Sequence, residues 1–175
     1  MENAVSGYNK LSKVLHWLSA ILIFGLFAAG YWMVDLTYYS EWYKTAPHWH
    51  KSVGIFFIAL TVLRLLWKMV SSSPAIEGSA FEKKAAAGAH HLLYILLFTL
   101  FLSGYLISTA DGRGIEVFDW FEVPGLGSFI EDQADYAGLI HEYVAYTLIG
   151  LTSLHALAAL KHHFINKDNT LKKML

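Results

Sequence analysis

The stretch YAGLIHEYVAYTLIGLTSLHALAAL, Tyr136 to Leu160, carries His141 and His155, 14 positions apart, on an almost wholly apolar run. Wound as an α-helix, at about 100° and 1.5 Å per residue, it turns just under four times between them. Both imidazoles then lie on nearly one face, roughly 21 Å apart. Histidine inside hydrocarbon is costly unless it is coordinated or paired, so two on one face of one span point to two stacked metal centres. The competing reading is two polar residues near the ends of a span, each reaching interfacial water.

Working outward, the composition is that of a bilayer protein: 175 residues, 55% hydrophobic and only 15% charged. Four segments are long enough to cross about 30 Å of hydrocarbon as helices. They are His16 to Val34, His50 to Trp67, His90 to Ala110 and Gly138 to Leu160. The expected fold is therefore an all-α integral membrane protein, a single domain formed by a four-helix transmembrane bundle. The first span follows Lys10 and Lys13 as a signal peptide would. Its apolar run is too long for one and no small-x-small cleavage site follows, so it reads as a retained helix.

Net charge is −1, which suggests no nucleic-acid partner, but the charges are sorted along the chain. Lys10, Lys13, Arg64, Lys68, Lys83, Lys84, Lys161, Lys167, Lys172 and Lys173 fall on one side, against Lys44, Lys51 and Arg113 on the other. This asymmetry places both termini in the cytoplasm. The opposite side, which collects Asp35, Glu41, Asp111, Glu116, Asp119, Glu122, Glu131, Asp132 and Asp135, is acidic. The absence of cysteine excludes disulfides, thiolate-held clusters and c-type haem attachment, leaving histidine or carboxylate to hold any metal.

Ser71 to Pro74 and the run through Glu82 and Lys84 separate the second span from the third. Tyr38 to Pro47 links the first two spans. Asp111 to Tyr136 links the last two and mixes acids and glycines with Phe118, Trp120, Phe121 and Phe129. It reads as an interfacial flap resting aromatic rings among membrane lipid headgroups. Donor docking or a quinone site is its other reading.

Because the helices run antiparallel, depth can be tracked on each. His16 opens the first span level with His155, and His50 opens the second level with His141. Each pair can offer two imidazoles to one iron from opposite sides of a flat macrocycle, as bis-histidine ligation of b haem requires. The 14-residue interval recurs from His16 to Gly30, from His90 to Gly104 and from His50 to Arg64. Gly30 and Gly104 fall at the depth of His50 and His141, where they let a porphyrin edge approach or serve only helix packing. Arg64 falls at the depth of His16 and His155, where it pairs with haem propionates or snorkels to headgroups.

His48 points roughly 200° away from His50 on a continuous helix, so the two cannot both face one site. His50 is the better ligand, with Lys51, Ser52 and Gly54 suiting a crowded cofactor edge. His90 and His91 are adjacent at the depth of His16, one available to propionate or quinone and the other to water. His162 and His163 read as solvated ends.

These residues fall into stretches that resemble the bacterial cytochrome b561 family, related to the cytochrome b subunits of nickel hydrogenases. The carriers are LHW around His16, WHKSVG around His50, VLRLLWK around Arg64, AGAHHLLYILLFTLFLSGYL from Ala87, and HEYVAYTLIGLTSLHALAALKHHFINKDNTLKKM from His141. The resemblance covers nearly the whole chain, and the last stretch is its most specific part. It implies a four-helix bundle with two b haems, with His16, His50, His141 and His155 as axial ligands. It also implies electron exchange between ubiquinone or another quinone and a periplasmic donor or acceptor at the bacterial inner membrane. Superoxide is one substrate proposed for similar proteins. On the third span the family places a histidine four before a tyrosine, here His90 before Tyr94, and the additional His91 leaves that choice open.

The leading functional expectation is thus a di-haem, quinone-linked electron carrier, with a homodimer compatible with it. The alternative is an anchor and electron-relay subunit of a separate dehydrogenase or hydrogenase. A metal-ion transporter would need polar residues along a pore, and the spans have few.

Overall fold

A computed structural model of the protein describes residues 7–175. The chain forms α1 (Lys10–Met33), α2 (Thr45–Val70), α3 (Ala80–Thr109), β1 (Ile115–Val117), β2 (Phe121–Val123) and α4 (Gln133–Lys161). All four helices are long and apolar enough to cross a membrane. They overrun the apolar stretches because their start signals lie outside them. The Asn9 side chain accepts from Ser12 N at the start of α1. Ser79 and Glu82 form a reciprocal capping box at the start of α3, satisfying backbone donors that helical bonds leave over.

α3 packs along α4 and α1 along α2, and the two pairs meet more sparsely through α1 against α4 and α2 against α3. Leu15, Phe57, Leu60, Leu96, Leu97 and Leu148 form the buried centre. Beyond it the helices are apolar around most of their circumference, with Ile21, Phe56, Ile95 and Leu154 turned outward, as in a protein solvated by lipid.

The linker between α3 and α4 is more ordered than an interfacial flap. β1 and β2 pair antiparallel, with Glu116 opposite Glu122, and Ile115 and Val117 turn inward and are buried. The turn holds Phe118 and Asp119 at φ 49° and 59°, a left-handed backbone that costs a non-glycine residue roughly 1–2 kcal/mol. Ser52, fully buried on α2, offsets that strain: its hydroxyl accepts from Phe118 N at 3.0 Å and approaches Glu116 O at 3.3 Å. Ser52 therefore serves the hairpin and not a cofactor edge. Gln133, also buried, accepts from Phe129 N and donates to Leu106 O, and Tyr105 donates to Pro124 O, fixing the rest of the linker.

At the other end of the bundle, which holds both termini, a π-helical turn over His162–Asn166 leads into a folded tail. His162 is not a solvated end: its Nδ1 lies 2.5 Å from Asp168 Oδ2, and the side chain is only 12% exposed. Trp17 Nε1 donates to Met174 O, Lys13 Nζ to Leu175 O, and Lys173 Nζ reaches Ala75 O and Glu77. The tail thus closes over the starts of α1 and α3.

Candidate functional site

Four antiparallel helices bring the intramembrane histidines together in two layers. At the hairpin end, His50 of α2 faces His141 of α4 with ring centres 6.4 Å apart. At the terminal end, His16 of α1 faces His155 of α4 with ring centres 6.2 Å apart. The depth matching that the antiparallel arrangement predicts is therefore present in both layers. Two imidazoles bonded to one metal from opposite sides, through metal–nitrogen bonds of about 2 Å, put their ring centres roughly 6 Å apart. Both pairs have that separation.

The hydrogen bonding of the hairpin-end pair suits coordination. His141 Nδ1 lies 3.1 Å from Leu100 O and 3.1 Å from Ser103 Oγ. A carbonyl only accepts, so Nδ1 carries the proton and Nε2 keeps its lone pair for a metal, with ring orientation set by α3. His50 Nδ1 is buried with no partner among the described residues, an orphan of the kind a ligand-bearing site accounts for. His48 points elsewhere, with its Nε2 3.6 Å from Asp119 Oδ1 on the hairpin.

The glycines at this depth have a more specific task than admitting a macrocycle edge. A Cβ on Gly30 would lie 3.2 Å from His50 Cε1, and one on Gly104 would lie 3.2 Å from His141 Cε1. Each glycine makes room for the imidazole of a neighbouring helix. Gly54 differs: nothing described lies within 4 Å of where its Cβ would be. Lys51 is half-buried beside His50.

The terminal-end layer is more crowded and more cationic. His90 of α3 joins it, its ring centre 5.2 Å from that of His155. His91 instead faces outward and bonds back to Ala87 O at 2.7 Å. Helical phase separates the adjacent histidines, and His90 is the one that enters the layer. Arg64 Nη2 lies 3.0 Å from His16 Nδ1, and both Arg64 and Lys68 stand over the Tyr94 ring, at 5.8 and 5.6 Å. Arg64 thus turns into the bundle at this depth instead of reaching out to headgroups. The ring of Tyr94 completes a cation-bearing corner to which the sequence offered no pointer beyond its spacing from His90.

The donor set fits b-type haem: paired imidazoles at two depths, an imidazole fixed in the coordinating tautomer, glycines opposite the rings, and a half-buried guanidinium suited to a propionate. Comparison with known proteins agrees. A family model described as prokaryotic cytochrome b561 matches residues 7–175. "Cytochrome b561 homolog 2" of Escherichia coli K12 is 47% identical over 175 residues, covering 99% of this chain and 93% of that protein. "Cytochrome b561 homolog 1" of the same organism is 31% identical, covering 96% of each. "Probable superoxide oxidase CybB" of Yersinia pestis is 29% identical, covering 96% of this chain and 95% of that one.

Proposed function

This chain belongs to the prokaryotic cytochrome b561 family of membrane electron-transfer proteins, and from that premise we propose that it is a di-haem carrier moving electrons between a membrane quinone and a redox partner at the acidic face. The carrying observation is that α4 supplies one histidine to each of two pairs, with α2 and α1 supplying the others. His50 and His141 would hold one haem, His16 and His155 the other, each supplying reversible one-electron iron chemistry whose potential follows axial ligand and burial.

The protein's own residues orient and insulate these sites. Leu100 O and Ser103 fix the His141 ring. Arg64 brings a fixed cation to the terminal-end site, where it would balance the anionic propionate of a bound haem. The Leu15, Phe57 and Leu97 cluster keeps water from the layer between. Lysines and Arg64 gathered at the terminal end support cytoplasmic termini in a bacterial inner membrane.

For the outward partner, the name of the Yersinia pestis relative supports superoxide, which would give one electron per molecule and become dioxygen. A quinone takes two electrons and two protons to become quinol. The acidic hairpin face favours cationic or neutral donors over an anion, so superoxide oxidation should accelerate as ionic strength rises. An anaerobic optical redox titration of the purified protein, followed by addition of quinol, quinone and superoxide separately, tests the reading. Two reversible b-type transitions and electron exchange with quinone are expected. A single transition, or none coupled to quinone, would remove it.

A further inference from the structure

The strained hairpin turn gathers a second set of ligand atoms, outside both histidine layers. His48 and Ser52 stand four apart on α2, hence on one face, and that face meets the hairpin. Ser52 holds the backbone of Glu116 and Phe118, which brings the Glu116 carboxylate and the Asp119 carboxylate to the imidazole of His48. One ligand atom from each of the three lies within 4.8 Å of the others. The group lines a cleft of about 740 Å³, walled by Trp49, Phe118 and Trp120 and reached by Lys44.

We propose that His48, Glu116 and Asp119 form a binding site for a divalent transition-metal cation of the Zn²⁺ type, with water completing the coordination. An imidazole nitrogen with two carboxylate oxygens suits such an ion, whereas Ca²⁺ and Mg²⁺ take oxygen ligands. Bonds of about 2 Å in a tetrahedral set place ligand atoms roughly 3.3 Å apart, so the three must close by on the order of 1 Å. Asp119, whose side chain is 84% exposed, can supply this by side-chain rotation. Two carboxylates against the single Lys44 side chain make the cleft acidic, and the surrounding acids raise the local cation concentration. A bound cation joins α2 to the hairpin turn and so clamps the hairpin against the helix that carries His50.

Calorimetric titration of Zn²⁺ into the full-length, haem-loaded protein in detergent tests this, with hydrogen exchange of residues 115–123 as a second readout. One Zn²⁺ per chain should bind, and exchange of the hairpin should slow when it does. His48→Gln, Glu116→Gln and Asp119→Asn should each weaken binding about ten-fold or more, with Glu116→Gln and Asp119→Asn retaining their full haem spectrum. Zn²⁺ binding that survives all three substitutions overturns the site. So does Ca²⁺ binding equal to that of Zn²⁺ and indifferent to His48→Gln, the signature of an acidic patch. Loss of a haem band in His48→Gln would instead make His48 a haem ligand and overturn the proposal in a way the two carboxylate variants would not mimic.

Discussion

Arg64 Nη2 donates to His16 Nδ1 across 3.0 Å, joining α2 to α1 inside the terminal-end layer. A guanidinium only donates, so Nδ1 accepts and the ring proton sits on Nε2. Coordination through Nε2 needs the opposite tautomer. A metal at this histidine and the Arg64 hydrogen bond therefore exclude one another, and ligation frees the guanidinium for an anionic partner.

Removing that charge should act on one site only. Arg64→Leu is expected to lower the midpoint potential of the terminal-end haem by about 1 kcal/mol or more, roughly 40 mV, because a nearby cation disfavours ferric iron. Arg64→Lys should shift it less, keeping the charge without the fork. Optical redox titration resolves the two transitions, and equal shifts in both would contradict the placement of Arg64.

The ligand pairs make a paired prediction. His50→Ala and His141→Ala should lose the same haem, and His16→Ala and His155→Ala the other, each retaining about half the pyridine haemochrome signal of the parent protein. Loss of different haems by His50→Ala and His141→Ala would separate that pair.

Gly104→Ala and Gly30→Ala place a methyl 3.2 Å from the Cε1 of His141 and His50 respectively. Each ring must yield by a few tenths of an ångström, at a cost of about 1–3 kcal/mol. Both variants should perturb the low-spin spectrum of the hairpin-end haem. Gly25→Ala, with nothing described within 4 Å, should leave both haems as they were.

Ser52→Ala removes the acceptor for Phe118 N in a fully buried setting. A loss of about 1–3 kcal/mol is expected, confined to the hairpin. Faster hydrogen exchange at residues 115–123 with unchanged exchange in α1 would report it.

The folded tail should release in acid. Burial works against ionisation of Asp168, but the Thr170 N–H and the His162 imidazole outweigh it and hold its carboxyl at about 2, below the usual 3.8. Glu77 is lowered in the same sense by Lys173 and the Asn169 N–H. A carboxyl depressed in the folded state stabilises it above the unfolded value and loses that contribution as pH falls through the folded value. Tail attachment should therefore hold at neutral pH and weaken from about pH 4 towards pH 2. Trp17 fluorescence, quenched or shifted through its contact with Met174, should follow this, and Asp168→Asn should shrink the acid step to the part that Glu77 carries.

What could be read in the chain was whatever repeats at helical spacing. The 14-residue interval put His141, His155, Gly30, Gly104 and Arg64 at two depths and antiparallel matching added His16 and His50, because depth in a rigid helix follows directly from residue number. Phase shows only that His48 and His50 cannot share a site, and the choice of His50 rests on Lys51, Ser52 and Gly54. The structure places His50, not His48, against His141, although Ser52 bonds to the hairpin and nothing described lies near Gly54. The hairpin escaped notice because each strand is three residues long, too short for alternation to register. Its turn uses Phe118 and Asp119 where glycine or asparagine would have announced a left-handed backbone. Ser52 was misplaced for the same reason, since its partners belong to that hidden element. His162 and Asp168 meet through a π-helical turn that no periodicity encodes.

The separation of the two layers along α4 also sets an electrical distance. About 21 Å is roughly two-thirds of a 30 Å hydrocarbon slab. An electron passing between the layers therefore traverses most of the field. In the proposed orientation, with the termini on the negative inner side, a transfer from the hairpin end to the terminal end runs against that field, by about 1.6 kcal/mol for every 100 mV. The resting voltage of the cell thereby becomes a control on which layer holds the electron.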